Sequence, residues 1–119
     1  HYAHFDDEVR PHPDAVAAID IVLSEAGVPH ERGLTWTTDA PYRETHAKVA
    51  RRREQGALTV EMEASTMFAV AAFRGAVYGQ LLYAGDDVSA QEWEHRGWNT
   101  AQSARERLFR LACDAVVRL

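Results

Sequence analysis

Short apolar runs of strand character alternate with segments of helical period along this sequence, and that alternation constrains the fold more than any other feature. Pro13 and Asp14 open a segment, 13–23, in which Val16, Ile19, Val22 and Leu23 share one helical face, and Gly27 ends it. Residues 28–37 contain Gly33-Leu34-Thr35-Trp36-Thr37, rich in β-branched and aromatic side chains. They predict a strand that enters a polar turn at Asp39-Ala40-Pro41-Tyr42. Thr45 is placed to cap a helix over 46–55, where Lys48, Arg51, Arg52, Arg53 and Glu54 imply a mostly solvated surface, and Gly56 closes it. A buried strand is predicted over 57–62. It is followed directly by a helix over 63–73 that is apolar nearly all round and is expected to lie deep, with Gly75 as its stop. Residues 77–83 read as a further buried strand and 84–89 as the loop at its carboxyl end. The stretch 100–119, with Ala104, Leu108, Leu111, Ala112, Ala115 and Val116 at helical spacing, reads as an amphipathic helix. Strands alternating with helices imply an α/β chain with parallel pairing, in which functional groups gather at the carboxyl ends of strands.

At 119 residues the chain allows one domain. A net charge of -5 and a pI near 5.6 exclude the basic footprint of a nucleic-acid binder, and the local run Arg51-Arg52-Arg53 does not reverse that. No apolar run reaches the roughly 18 to 20 residues that cross a bilayer. No basic-then-apolar signal opens the chain either, so no membrane partner and a cytoplasmic location are expected. Cys113, the lone cysteine, cannot form an internal disulfide, and its apolar helical surroundings predict a buried thiol. His1, His4 and His12 match no metal-ligand spacing, so neither a metal nor a cofactor is expected. The opening His1-Tyr2-Ala3-His4-Phe5 lacks an initiator methionine and reads as a fragment of a longer protein or as a processed product.

Four constellations could carry chemistry. In Glu61-Met62-Glu63 two carboxylates stand where an apolar strand turns into an apolar helix. Carboxylates in such surroundings need hydrogen-bond donors, which a sugar diol or a helix amino terminus can both supply, and only one of the two can easily serve as a cap. In Asp86-Asp87, after Gly85, burial would raise the proton affinity of one carboxyl and make it a proton donor near neutral pH. A solvated acidic loop, or metal binding by the carboxylates, is the alternative. Thr35 to Thr45 combines hydroxyls, Trp36, Tyr42 and Arg43, able to stack a planar heterocycle and bond its edges, or to form a capped surface turn. Trp93-Glu94-His95-Arg96-Gly97-Trp98 reads as a loop, either over a site or packed on the surface. The sequence contains no glycine-rich phosphate loop and no nucleophile elbow.

Taken in order, Thr37-Thr38-Asp39-Ala40-Pro41-Tyr42-Arg43-Glu44-Thr45, Val60-Glu61-Met62-Glu63-Ala64-Ser65 and Ala84-Gly85-Asp86-Asp87 resemble the C-terminal half of the nucleoside phosphorylase family, which includes purine nucleoside and uridine phosphorylases. The Val-Glu-Met-Glu-Ala stretch is the most specific element. The resemblance implies a phosphorylase-type sheet flanked by helices in three layers, incomplete without an N-terminal half. It also implies cleavage of an N-glycosidic bond by phosphate, the co-substrate, to give a free base and ribose 1-phosphate. It makes Met62 the residue packed beneath the ribose, Glu63 the carboxylate that binds ribose hydroxyls, and Glu61 its neighbour on the same wall. Tyr42 and Arg43 fall in the base-binding turn, where Pro41 replaces a usual aromatic. Asp86, with Asp87 as the other counterpart, falls where purine-handling members protonate the base.

The family's phosphate-site loop and arginines have no match in this chain, so the missing half or a homo-oligomer is the expected partner, beside nucleoside and phosphate. A nucleosidase that uses water is the related enzyme reading. A non-catalytic nucleoside-binding or subunit-interaction module is the reading from another class.

Overall fold

The computed structural model describes residues 9–83 and 102–119. Their elements run α1 (Pro13–Glu25), β1 (Leu34–Thr37), a 3-10 turn (Pro41–Arg43), α2 (His46–Glu54), β2 (Ala57–Glu61), α3 (Ala64–Arg74) and α4 (Gln102–Val116). The chain is mixed α/β with a parallel strand pair, as its alternating periods predict.

Local chemistry sets most boundaries. Pro13 occupies the first turn of α1, where its missing N–H costs no bond, and the Asp14 amide donates to His12 Nδ1 at 3.2 Å. Gly27, at φ +61°, lets the chain reverse so that the Val28 amide reaches the Leu23 carbonyl at 2.9 Å and the Gly27 amide reaches Ser24 at 3.1 Å. Thr45 caps α2 by accepting from the Lys48 amide at 3.4 Å.

Helix α2 is the crossover that parallel pairing requires, and it buries Val49. In the ladder Leu34 faces Ala57, but Thr35 faces Thr59, so Leu58 is an extra residue on β2. From there Trp36 faces Val60 and Thr37 faces Glu61, and both strands finish side by side. The core lies on the α1–α4 contact, where Ala18, Val22 and Leu23 meet Leu111 and Ala115, with Ile19, Val28 and Leu81 packed against them.

The structure corrects four expectations. Residues 77–83 form no strand. A strand needs a ladder partner, whereas this segment lies against α1: Tyr78 O accepts from the His12 amide at 2.9 Å, and a Cβ on Gly79 would stand 2.9 Å from Ala15 Cβ and from Ile19 Cδ1. Helix α3 does not lie deep, since only Ala64 is buried and Phe73 is 86% exposed. It packs toward β1 with one face, and an all-round apolar helix leaves its far side uncovered when only one layer meets it. Strand β2 leaves Leu58 54% exposed, because each member of a two-stranded sheet is an edge. Cys113 is exposed, since it sits about 200° around α4 from both Leu111 and Ala115, the residues that face α1.

Candidate active site at the paired strand ends

Because the register sets Thr37 opposite Glu61, the carboxyl ends of β1 and β2 meet the first turn of α3. The Thr38 amide donates to the Glu61 carbonyl at 2.8 Å, carrying the ladder one step past β1. The Thr37 hydroxyl donates to Glu61 Oε1 at 2.5 Å and accepts from the Ser65 amide at 3.0 Å. Glu61 Oε2 accepts from the Glu63 amide at 2.7 Å and from the Ala64 amide at 2.5 Å.

Those amides are among the donors that a helix start leaves unpaired, and a negative charge there is favoured by the helix dipole. Glu63 occupies the N-cap position but makes no cap bond with its own side chain. The carboxylate two residues upstream fills that role, so the ambiguity of the pair is resolved geometrically: Glu61 caps α3. The Glu63 carboxylate accepts from the Met62 amide at 3.3 Å and is otherwise open among the described residues. Both Met62 and Glu63 are exposed.

Tyr78 joins this site, which the sequence did not announce, since its segment reads as an ordinary strand. Its ring meets Phe68 of α3 edge to face, with centroids 5.3 Å apart and planes at 67°. Burial raises the proton affinity of its phenol above the usual 10.0, and the charges of Glu61 and Glu63 raise it further. The phenol therefore stays protonated at neutral pH within electrostatic reach of both carboxylates.

The turn after β1 is tied back by buried Thr38, whose Oγ1 accepts from the Ala40 amide at 3.4 Å, and by the Arg43 amide donating to the Ala40 carbonyl at 2.8 Å. Tyr42 is 98% exposed, so its ring is not brought onto the carboxylate pair, and the Arg43 side chain is also exposed. Trp36 instead carries the Arg52 guanidinium 5.7 Å from its ring centroid. Asp86, Asp87 and the segment 93–98 lie outside the described residues. Among the described residues no group of His, Cys, Asp or Glu could hold a metal ion, and no helix is long and apolar enough to cross a membrane.

Parallel strands ending on a helix-capping carboxylate, with a second carboxylate beside it that among the described residues meets only the Met62 amide, give a surface suited to a polyhydroxylated ligand. The family model of the phosphorylase superfamily matches residues 1–118, and the chain belongs to that superfamily. Membership supports an enzyme of the glycosyltransferase or nucleosidase type, with a nucleoside phosphorylase- or hydrolase-like role. Among curated proteins, none matches this chain.

Proposed function

We propose that the chain carries the nucleoside-binding wall of a nucleoside phosphorylase. The observation that supports this reading best is the division of labour at Glu61-Met62-Glu63: the helix start is satisfied by Glu61, which leaves the Glu63 carboxylate to accept from ribose hydroxyls. Met62, half exposed beside it, offers an apolar face to the sugar ring. The turn with Tyr42 and Arg43 is the base side in this reading, and Asp86 is the acid.

In the reaction the bond between the anomeric carbon and the base nitrogen breaks, and its electron pair leaves with the base. Asp86 gives the base a proton. A phosphate oxygen forms the new bond to the anomeric carbon, so the products are free base and ribose 1-phosphate. The transition state resembles an oxocarbenium ion, so a carboxylate near the sugar favours its positive charge while protonation stabilises the leaving base. Phosphate is a co-substrate, and its binding groups come from a further segment or from a second copy of the chain. No cofactor takes part.

The test is release of free base from inosine and from uridine, with and without phosphate, by this chain and by an N-terminally extended one. Phosphate-dependent release by either supports phosphorolysis. Release that ignores phosphate assigns a nucleosidase instead, and nucleoside binding without release assigns a binding module.

A further inference from the structure

Thr37 stands at the junction of three elements, and nothing in the reaction described above uses it. Its hydroxyl donates to Glu61 Oε1 at 2.5 Å and accepts from the Ser65 amide at 3.0 Å. It therefore holds one oxygen of Glu61 while the other oxygen takes the Glu63 and Ala64 amides. The four bonds form one connected network from the end of β1, across the end of β2, to three successive amides of the 63–65 turn. A carboxylate has lone pairs in fixed directions, so fixing Oε1 fixes where Oε2 points. The consequence falls on the Glu63 backbone, whose amide is one of the two that Oε2 grips.

We infer that Thr37 is a positioning residue for ribose recognition: through Glu61 it sets the backbone orientation from which Glu63 presents its carboxylate. This rests on the nucleoside-binding reading of Glu63 given above. Glu61, on this account, touches no substrate atom. Its carboxylate is already engaged by one hydroxyl and two amides, whereas the neighbouring Glu63 carboxylate has only the Met62 amide, at 3.3 Å, among the described residues.

The chemistry discriminates between the parts of a ligand. A misplaced Glu63 loses contacts to ribose hydroxyls but none to a free base, so loss of the Thr37 hydroxyl must weaken a nucleoside far more than the base alone. General loosening of the fold would weaken both.

The experiment measures inosine and hypoxanthine affinity by calorimetry on wild-type protein and on Thr37→Val, Thr37→Ser and Glu61→Gln. Amide hydrogen exchange at Glu63, Ala64 and Ser65 is followed in parallel. Thr37→Val keeps the shape and removes the hydroxyl. It is expected to weaken inosine by roughly tenfold or more, the scale of a lost bond to a charged group, with hypoxanthine little changed and exchange at the three amides faster. Thr37→Ser restores the hydroxyl and recovers most of the affinity. Glu61→Gln keeps one oxygen for the two amides but offers the Thr37 hydroxyl a donor in place of its acceptor, and reproduces the selective loss should Thr37→Val fail to fold. Equal weakening of inosine and hypoxanthine, or unchanged inosine affinity, overturns the positioning role while leaving Glu63 as a ribose ligand. Wild-type protein that binds no nucleoside overturns the functional reading itself, and the positioning role with it.

Discussion

Glu61 and Glu63 have the same side chain two positions apart, and their different fates follow from where β2 stops. Glu61 is the last residue of the strand, so its carboxylate reaches forward over the 63–64 amides, while Glu63 lies in the turn and faces outward. Replacing Glu63 by Gln keeps the shape and removes the charge. We expect nucleoside affinity to fall about tenfold to a hundredfold with little change in melting temperature, and unchanged affinity in a titration would remove Glu63 from the site. Glu44 obeys a different balance, because burial alone raises its proton affinity above the usual 4.5. The folded state then holds its proton more tightly than the unfolded chain, so stability falls as pH rises through and above 4.5. Glu44→Gln should therefore be the more stable protein at neutral pH, with the difference shrinking to nothing well below pH 4.5. Chemical denaturation at several pH values reads this directly, and a gap that persists in acid would contradict it.

At the scale of elements, the sequence was most legible where a boundary is local. Pro13, Gly27, Thr45 and Gly56 each act on their own turn, and α1, α2 and β2 fall close to where those signals place them, whereas of the strand expected over 28–37 only 34–37 pairs. The carboxylate pair was legible for the same reason, being a local anomaly in an apolar stretch. What a partner decides was not legible: whether 77–83 finds a ladder, which side of α4 meets α1, how much of α3 is covered. The Thr37–Glu61 bond spans 24 positions and exists only because of the parallel register, so no local pattern shows it. Likewise Tyr78 enters the site because its segment packs on α1 rather than pairing. The close approach at Gly79 gives that packing a sharp test. Gly79→Ala puts a methyl 2.9 Å from Ala15 Cβ and Ile19 Cδ1, and should destabilise the protein by about 1–3 kcal/mol in urea denaturation. No loss of stability would mean that the segment is free to move off α1.

Over the whole molecule, apolar surface is left uncovered on several sides. Phe73 on α3 is 86% exposed, and Phe109 and Val116 on α4 are 70% and 66% exposed. At the end of the strands away from the carboxylates, α1, α4, the strand pair and residues 80–83 border an open cleft of about 1,090 Å³. Its walls include Ile19, Leu23, Leu34, Leu58, Leu81 and Leu108, and Gln80, also in the wall, has a buried Oε1 that meets no hydrogen-bond donor among the described residues. Large apolar side chains left open among the described residues are suited to burial against another surface. In sedimentation velocity the chain is expected to self-associate as its concentration rises, and Phe73→Ser combined with Phe109→Ser should reduce that association at near-constant stability. A single monomeric species at all concentrations would refute it.

The extra residue at Leu58 gives β2 an additional property. Were the ladder even with Leu58 retained, Thr35 would face Leu58 and Thr37 would face Val60, with the carboxylate one step beyond the reach of its hydroxyl. The slip at Leu58 thus works as an offset that, more than the composition of β2, determines where the acid arrives. Side chains before Glu61 can be exchanged for others of similar bulk, but closing the slip with every residue retained would turn the active end of the sheet to the wrong face.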